Sequence, residues 1–378
     1  MVEKIKVMVV DDSAFMRKFI SDMINAEKDM EVVFSAKDGM EAVEKAPMVK
    51  PDVITMDVEM PRKNGLEALK ELMASEECFQ VIMLSGLTTK GSSITMEALS
   101  LGAFDFIQKP SGFTYFKIDH IKNELVEKIR YAWQRGKKLR EKNGNRSCLK
   151  VRWQEKHDAG GNRIKDVAAS SNQYVDKTAS PAETLKLSKK LEALALGAST
   201  GGPKVLYDVI TGLPGDIDIP VFVVQHMPAG FTRAFAERLD INSPLTVTEA
   251  TDGELITPGK VYIAPGGYHM TVAGDRIKLD TSAPLHGVRP AVDRLFISAA
   301  ERYNKALLCC ILTGMGKDGA AGVKEVKSRG GTVIAQDEAT SVVYGMPKAA
   351  YDTGCVDMVL PDFKIAEEIT KLIKKAGR

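Results

Sequence analysis

The chain has 378 residues, 44% of them hydrophobic and 27% charged, and this globular composition excludes a wholly disordered protein. The formal net charge is only +2, so no overall field favours nucleic acid or a membrane surface as a partner. No stretch approaches the roughly 18 consecutive apolar residues of a membrane span, and at about 150 residues per domain the length predicts two or three domains.

The cellular compartment is predicted from the thiols and the first residues. The five cysteines show no CxxC spacing, and Cys309 and Cys310 are adjacent within an apolar run. This pattern predicts free thiols in a reducing compartment rather than a disulfide framework or a zinc site. The N-terminus enters a strand-like run without the apolar core of a signal peptide. We therefore expect a cytoplasmic protein without membrane insertion.

The first third of the chain alternates short apolar runs with helical patterns, which predicts a doubly wound parallel sheet covered by helices. The predicted strands are Lys6–Val10, Glu31–Ser35, Val53–Met56, Val81–Leu84 and Phe106–Gln108. Polar residues follow four of these strands directly: Asp11 and Asp12, Asp57, Ser85 and Lys109. Because the carboxyl ends of parallel strands share one edge of a sheet, these side chains are expected to meet there.

Three carboxylates at one edge repel one another unless a cation binds between them. Hard oxygen ligands suit Mg²⁺, and a metal beside an aspartate can stabilise a phosphoryl group that moves onto the carboxylate. A single aspartate after a strand is more simply explained as a helix N-cap. Three aspartates, a serine and a lysine at successive strand ends instead favour a phosphoryl-transfer site.

The same residues resemble the receiver domain of two-component response regulators over residues 5–125. The matching sequence motifs are Val9-Val10-Asp11-Asp12-Ser13, Met56-Asp57-Val58-Glu59-Met60-Pro61, Asn64-Gly65 and Lys109-Pro110. The resemblance implies a flavodoxin-like fold in which Asp57 is the phosphoacceptor. It further implies that Asp12, Asp57 and the Glu59 carbonyl bind Mg²⁺ with help from Asp11, that Ser85 and Lys109 sense the phosphoryl group, and that Phe106 stands at an aromatic switch position.

A basic, polar segment divides the chain. Eleven basic and four acidic residues lie between positions 135 and 166, and Ser, Asn, Gly and Ala dominate up to position 181. We interpret 135–188 as a linker that begins in the end of a helix, with one domain at 1–134 and another at 189–378. A solvated spacer is the simpler role, although a basic tether also suits an acidic partner or RNA.

The second domain again predicts a doubly wound parallel sheet, larger and Rossmann-like. Its predicted strands are Glu192–Leu196, Val221–Gln225, Leu245–Ala250, Lys260–Ala264, Leu307–Thr313, Thr332–Gln336 and Met358–Leu360, and Tyr268–Asp280 is a predicted hairpin. The first strand runs into Gly197-Ala-Ser-Thr-Gly201, a G-x-S-x-G turn before a helix. Such a turn projects the Ser199 hydroxyl, but glycine-rich turns also bind phosphate, and the motif alone does not decide between these roles.

A serine nucleophile needs a base and a group that orients the base. His226 directly follows the strand Val221–Gln225, whereas His269 and His286 are expected to be ordinary surface histidines. Asp318 follows the apolar strand Leu307–Thr313, and we prefer it to its rival Asp293, which is expected near a helix start where it interacts with the dipole. The chain order of serine, histidine and aspartate differs from that of ordinary α/β-hydrolases.

The turn that carries Asp318 also fits a different motif. Gly314-Met-Gly-Lys-Asp-Gly319 is a G-x-G-x-x-G sequence, and Asp337 ends the next strand about twenty residues on. This spacing is typical of a dinucleotide-binding fingerprint, in which the acidic residue binds a ribose. An NAD-dependent oxidoreductase is therefore an alternative. It is disfavoured because the motif lies late in its domain and leaves the Ser199 turn and His226 unexplained.

Several sequence motifs of the second domain resemble those of the catalytic domain of chemotaxis protein-glutamate methylesterases, the CheB family. They are Leu196-Gly-Ala-Ser-Thr-Gly-Gly202, Gln225-His226-Met227-Pro228, Ala264-Pro265-Gly266 and Leu312-Thr-Gly-Met-Gly-Lys-Asp-Gly319. The resemblance implies hydrolysis of receptor glutamate methyl esters by Ser199, His226 and Asp318, with the backbone N–H groups of Thr200 and Met315 as the oxyanion hole. It also implies a histidine kinase as phosphodonor, no cofactor in the second domain and, in this family, frequent deamidation of receptor glutamines.

The two resemblances together suggest how the domains cooperate. We expect the first domain to pack over the edge that carries Ser199 and to block receptor access until Asp57 is phosphorylated. A response regulator with a non-enzymatic binding output is the remaining alternative. A DNA-binding version is disfavoured, because no short helix-turn-helix module follows the first domain.

Overall fold

The structure is a computed structural model, and it describes residues 4–75, 77–86, 88–109, 115–143 and 190–375. The first domain is an alternation of parallel strands and helices. In chain order its elements are β1 (Ile5–Val10), α1 (Ala14–Asn25), β2 (Met30–Ala36), α2 (Gly39–Val49), β3 (Val53–Asp57), α3 (Gly65–Ala74), β4 (Gln80–Ser85), α4 (Thr89–Ser100), β5 (Asp105–Gln108) and α5 (Tyr115–Asn143). The sheet order is β2-β1-β3-β4-β5, so β3 lies at its centre.

The second domain contains a seven-stranded parallel sheet and one hairpin. Its elements are β6 (Ala193–Ala198), α6 (Gly202–Gly212), β7 (Val221–Gln225), α7 (Phe231–Asn242), β8 (Thr246–Glu249), β9 (Lys260–Ile263), β10 (His269–Ala273), β11 (Arg276–Asp280), α8 (Val292–Tyr303), β12 (Leu307–Ile311), α9 (Ala320–Ser328), β13 (Thr332–Gln336), α10 (Met346–Tyr351), β14 (Met358–Leu360) and α11 (Asp362–Lys375). The sheet order is β14-β13-β12-β6-β7-β9-β8, and β10 pairs with β11 as the predicted hairpin.

The predicted fold class, two doubly wound α/β domains, is confirmed by these sheets. The reason lies in the composition of the strands: β12 reads LLCCI and β6 reads ALALGA, and every one of these residues is buried. Strands that are apolar on both faces need helices on both sides, which favours a parallel sheet. Neighbouring β6, β7 and β12 are central, so their carboxyl ends meet in the middle of one edge.

The main departure from the predicted elements is at Gly197. The sequence pattern placed this residue in the turn, whereas it belongs to β6, which continues to Ala198. A Cβ atom at Gly197 would lie 2.4 Å from Cγ1 of Val292, so this glycine allows α8 to pack tightly on the strand. Gly197 thus serves packing, and the turn itself is only Ser199-Thr200-Gly201.

The predicted linker overlaps the end of a helix. Residues 135–143 form the last part of α5, and residues 144–188 lie outside the described residues. The expectation of free thiols holds for Cys309, Cys310 and Cys355 but is wrong for Cys78, which is disulfide-bonded. Cys78 lies half-buried in the segment between α3 and β4. None of the helices within the described ranges combines the length and apolarity that crossing a membrane requires.

The two domains pack against each other through apolar side chains. The first domain presents α4 and β5, and the second presents α6 and α7. The rings of Phe106 and Phe231 stack with their centroids 4.6 Å apart, and both residues are buried. They belong to one cluster of buried apolar residues that extends from the first sheet into the second. This packing places the first domain beside the edge at which β6, β7 and β12 end.

Candidate active site

The three residues predicted as a catalytic triad surround one cavity. Ser199 follows β6, His226 follows β7, and Asp318 lies in the turn between β12 and α9. All three line a cavity of about 430 Å³. The structure therefore brings together side chains that are up to 119 positions apart in the sequence.

Asp318 is held in a fixed orientation at the start of α8. Its Oδ2 accepts a hydrogen bond from the Val292 N–H at 2.6 Å, and its Oδ1 accepts from the N–H groups of Asp293 and Gly319, both at 2.9 Å. The N-cap residue of α8, Ala291, has no side chain to perform this role. Asp318 thus caps a helix from a distant turn, and the helix dipole stabilises its negative charge.

The imidazole of His226 is bonded to this carboxylate. Nε2 of His226 lies 2.8 Å from Oδ2 of Asp318. Burial alone would raise the pKa of Asp318, but the bond to His226, its charge and the backbone N–H donors outweigh burial and lower that pKa. An ionised Asp318 makes Nε2 the protonated nitrogen of a neutral imidazole, which leaves Nδ1 as the basic nitrogen.

The Ser199 hydroxyl is half-buried at the floor of the cavity and, among the described residues, takes part in no hydrogen bond. Its backbone is fixed, because the Ser199 N–H donates to the Thr313 carbonyl at 3.0 Å. Ser199 and His226 line the same cavity, and a hydroxyl and a basic imidazole nitrogen are the two components of general-base activation.

The predicted oxyanion donors also border the cavity. Thr200 and Met315 both line it, and within the described chain neither backbone N–H donates a hydrogen bond to a protein acceptor. Thr200 is buried, so its backbone N–H group does not donate a hydrogen bond to bulk water as an exposed N–H group would. Free N–H groups beside a nucleophile are suited to a developing oxyanion.

A buried glutamine that the sequence reading missed joins two of these turns. Nε2 of Gln225 donates to the Ser199 carbonyl at 2.9 Å and to the His226 carbonyl at 3.2 Å. Gln225 is the last residue of β7 and only 2% exposed. Its position directly before His226 was the available signal, but a strand residue followed by a histidine does not by itself indicate a clamp between two turns.

His286 is exposed, as expected of a surface histidine, but it does not stand alone. Nε2 of His286 lies 3.0 Å from Oδ2 of Asp293, and the imidazole lines the same cavity as the triad. Asp293 does lie at the start of α8, as predicted, but its buried carboxylate accepts a hydrogen bond from the Gly322 N–H at 2.7 Å. The expectation of a surface histidine is wrong for His269, which is buried; its Nε2 bonds the Ala283 carbonyl at 3.1 Å, and it does not line the cavity.

The first domain forms one wall of the cavity. Its contribution comes from β5 and α5: Asp105, Phe106, Gln108, Asn123, Glu124, Glu127 and Lys128. Lys128 is buried and donates to the Phe106 carbonyl at 2.6 Å, and it pairs with Glu124 at 2.7 Å. The wall therefore holds Phe106 from two sides, by Lys128 within the first domain and by Phe231 across the interface.

A second site lies at the edge of the first sheet. Oxygen atoms of Asp11, Asp12 and Asp57 lie within 4.8 Å of one another. Nζ of Lys109 is 2.6 Å from Oδ2 of Asp11 and 2.7 Å from Oδ2 of Asp57. The five strands thus bring these predicted residues together, and the donor set of carboxylate oxygens fits a hard divalent cation.

The pKa values at this site reflect burial. Burial raises the pKa of Asp57 from 3.8 to about 6, with Lys109 lowering it and the nearby Asp11 charge raising it further. For Lys109, burial works in the opposite direction, but the carboxylates of Asp57 and Asp11 outweigh it and raise its pKa. The lysine therefore remains charged beside an aspartate that is poorly stabilised as an anion.

The remaining predicted residues of this site surround Asp57. The Glu59 N–H donates to Oδ1 of Asp57 at 3.3 Å, and the buried Ser85 ends β4, next to β3 in the sheet. Gly65 at the start of α3 must be a glycine, because a Cβ atom there would lie 2.0 Å from the Asp57 carbonyl oxygen. This close approach explains the Asn64-Gly65 pair. Asn64 caps α3, and Gly65, which has no side chain, lets the start of α3 pack against the end of β3.

The dinucleotide alternative finds no support in the geometry. The turn Gly314–Gly319 directs the carboxylate of Asp318 to His226 and to the start of α8. Asp337, the expected ribose ligand, instead accepts hydrogen bonds from the N–H and the hydroxyl of Thr340, at 2.9 and 2.6 Å. Both acidic residues are therefore used within the protein.

Comparison with known proteins agrees with this geometry. The response regulator receiver domain family matches residues 7–117, and the CheB methylesterase family matches residues 194–369. A protein-glutamate methylesterase/protein-glutamine glutaminase of Clostridium acetobutylicum is 45% identical over 100% of both chains, and one of Thermotoga maritima is 46% identical over 98% of each. The crystal structure of the Thermotoga maritima CheB methylesterase catalytic domain is 48% identical over 48% of this chain and 99% of that chain, with a TM-score of 0.47. With two relatives matched over nearly their whole length, this chain belongs to the protein-glutamate methylesterase/protein-glutamine glutaminase family.

Proposed function

We propose that this protein hydrolyses glutamate methyl esters on chemotaxis receptors, releases methanol, and also deamidates receptor glutamines. The observation that carries the proposal is the cavity in which Ser199, His226 and Asp318 meet, with the hydrogen bond of 2.8 Å between the last two. The names of the full-length relatives state both activities. Sensory adaptation would follow from removing these methyl groups.

The reaction follows from the roles of the three side chains. Nδ1 of His226 takes the proton of Ser199 as the hydroxyl oxygen attacks the ester carbonyl carbon. Asp318 stabilises the resulting imidazolium, and the N–H groups of Thr200 and Met315 stabilise the oxyanion. The imidazolium then protonates the leaving methoxide, and methanol departs. Water repeats the sequence on the acyl-enzyme and releases the glutamate carboxylate.

The first domain supplies regulation in this proposal. Asp57 accepts a phosphoryl group from a histidine kinase, and Lys109 and Ser85 contact the new phosphoryl oxygens. Asp11, Asp12, Asp57 and the Glu59 carbonyl would hold Mg²⁺, which neutralises charge on the transferred group. The raised pKa of Asp57 is consistent with a carboxylate that gains stability when a cation binds beside it.

The contact between the domains supports control by access. Phe106 lies in the cavity wall and stacks on Phe231, so a shift of β5 toward a phosphorylated Asp57 would disturb the stacked pair. Loss of about 2.7 kcal/mol of docking preference would raise the open population roughly a hundredfold. Phosphorylation is therefore expected to open the cavity to receptor helices.

The test is methanol release from a methylated receptor by the full-length protein, with ammonia release from a glutamine-containing receptor measured in parallel. Ser199→Ala should reduce both by about three orders of magnitude or more while Asp57 still accepts a phosphoryl group. Ser328→Ala, in an exposed position at the end of α9, is the matched control and should leave both rates unchanged. Methanol release that survives Ser199→Ala would refute the proposed nucleophile.

A further inference from the structure

A second histidine–aspartate pair faces the cavity beside the triad. His286 repeats the arrangement of His226: its Nε2 is bonded to a carboxylate oxygen at 3.0 Å, and its carboxylate partner, Asp293, is 2% exposed. The chemistry described above uses neither residue. A buried carboxylate is costly unless it is paired and hydrogen-bonded, so this pair is a built feature rather than a chance contact.

Both oxygens of Asp293 are occupied. Oδ1 accepts from the Gly322 N–H at the start of α9, at 2.7 Å, and Oδ2 bonds His286. The carboxylate therefore takes the Nε2 proton of a neutral His286 as its hydrogen-bond donor. The same tautomer argument that applies to His226 leaves Nδ1 of His286 as a hydrogen-bond acceptor.

The backbone at His286 is unusual for a histidine. Leu285 and Val288 exchange two backbone hydrogen bonds, of 3.0 and 3.1 Å, around a two-residue turn. Both turn residues have positive φ, 53° at His286 and 79° at Gly287. A turn with two positive φ angles favours Asn-Gly, and a histidine in the first position is strained. Strain of this kind is typical of functional positions.

The location of His286 defines what it can touch. Nitrogen and oxygen atoms of His286, Asp293 and Asp318 lie within 4.8 Å of one another. Asp318 is the partner of His226, so the second imidazole stands on the side of the cavity where His226 works. This cluster is not suited to a cation, because every carboxylate oxygen in it already accepts a hydrogen bond from an N–H group.

The leaving group must depart on this side, because His226 delivers the proton that releases it. A methyl ester leaves through a methoxy oxygen, which has no hydrogen to donate. A glutamine leaves through an NH₂ group with two N–H donors. An acceptor nitrogen at this place therefore distinguishes the amide from the ester.

We propose that His286, oriented by Asp293, accepts a hydrogen bond from the leaving NH₂ group of a receptor glutamine and thereby favours deamidation over ester hydrolysis. The proposal rests on the proposed function of the site. In the tetrahedral intermediate the C–N bond is intact and the nitrogen carries a lone pair. A bond from one N–H to His286 turns that lone pair toward His226, which donates the proton taken from Ser199. The C–N bond then breaks, ammonia departs, and His286 is unchanged.

The test is the ratio of ammonia release to methanol release by the full-length protein, phosphorylated on Asp57. The substrates are one receptor cytoplasmic fragment carrying either glutamine or methylated glutamate at the same site. His286→Asn is the main variant, because Asn-Gly suits the turn and the shorter side chain removes the imidazole without a backbone penalty. We expect kcat/KM for ammonia release to fall about tenfold, the loss of one hydrogen bond, and that for methanol release to stay within about twofold.

Two further variants complete the experiment. Asp293→Asn keeps the size of the partner but lets it donate to Nε2, which makes Nδ1 a donor; it should lower ammonia release selectively as well. His269→Gln changes a histidine of the same domain outside the cavity lining and should leave the ratio unchanged. An unchanged ratio in His286→Asn, or equal losses of both products, would overturn the proposal. Methanol release without any ammonia release by the unsubstituted protein would overturn it too, while leaving the esterase function intact; release of neither product would instead refute the proposed function.

Discussion

Gln225 connects the turns that carry Ser199 and His226, the proposed nucleophile and base. Its amide nitrogen holds the carbonyls of Ser199 and His226, at 2.9 and 3.2 Å. Neither carbonyl takes part in the proposed chemistry, so we expect Gln225 to act as a positioning residue. A shift of about 1 Å between reacting groups can cost roughly two orders of magnitude in rate.

We expect Gln225→Met to lower kcat for methanol release by about ten- to a hundredfold with little change in KM, because substrate binding does not involve the buried amide. Gln80→Met is the matched control. Gln80 is also buried at a strand and donates to two successive carbonyls, of Cys78 and Phe79, but it lies in the first domain. A rise in KM with kcat unchanged in Gln225→Met would contradict a positioning role.

Asp57 provides a prediction about pH. Its pKa of about 6 in the metal-free protein means that the carboxyl group is protonated below that pH and ionised above it. Because the native state binds this proton more tightly than the unfolded chain, Asp57 contributes stability as the pH falls from about 6 toward 4, and this contribution is lost as the pH rises through 6. In a sample freed of metal by a chelator, the NMR resonance of the Asp57 carboxyl carbon should titrate with a midpoint near pH 6.

Lys109→Met should move that titration to higher pH, because the lysine charge opposes the effect of burial on Asp57. Addition of Mg²⁺ to the unsubstituted protein should move it to lower pH, because a bound cation favours the ionised form. Lys18→Met, which removes an exposed lysine of α1 paired with Asp22, is the control and should leave the midpoint in place. A Lys109→Met midpoint at or below that of the unsubstituted protein would show that the lysine does not act on Asp57.

At the scale of elements, the sequence predicts which polar residues follow the strands, but it does not predict what caps the helices. The apolar runs and the polar residues behind them placed Ser199, His226 and Asp318 at one edge, since parallel strands align their carboxyl ends. That Asp318 caps α8 could not be read from the sequence, because the helix starts 26 residues earlier than its cap and Ala291 carries no capping side chain.

The bond between His286 and Asp293 could not be predicted from the sequence for a related reason. The two residues are seven positions apart, but the contact depends on a turn with two positive φ angles and on α9 packing against α8. Such backbone angles are usually signalled by Asn or Gly in the first turn position, and here a histidine stands there. Gly197 was likewise assigned to the turn because a glycine required for helix packing looks the same in sequence as a turn glycine.

The contact of β5 with α7 leads to a prediction for the interface. Phe231→Leu removes the aromatic stacking on Phe106 while keeping an apolar side chain, and such stacking contributes about 0.5–1.5 kcal/mol. We expect methanol release by the unphosphorylated protein to rise roughly two- to tenfold. Phe222→Leu is the control: that ring stacks on Tyr262 inside the second domain, so the variant should lose thermal stability without gaining activity. If methanol release by the unphosphorylated protein rose in both variants, or in neither, the stacking of Phe106 on Phe231 would not be what restricts access to the cavity.

Across the whole molecule, the apolar cluster shared by both domains and the cavity wall from β5 and α5 make access to Ser199 a property of the full chain. A further contact is made by Val343, which is buried with residues of the first domain. The Val343 N–H donates to the Thr313 hydroxyl, which in turn donates to the Thr200 carbonyl. The first domain therefore contacts the surroundings of Ser199 at Val343 as well as at the cavity wall.

The central claim is that a serine activated by His226 lies beneath the first domain. The most direct measurement is the rate at which a fluorophosphonate labels the full-length protein, with the labelled residue identified by mass spectrometry, before and after phosphorylation of Asp57. The account predicts a label on Ser199, faster labelling after phosphorylation, and a loss of about a hundredfold or more in His226→Gln. A label on another residue, or equal labelling of Ser199 in His226→Gln, would contradict it.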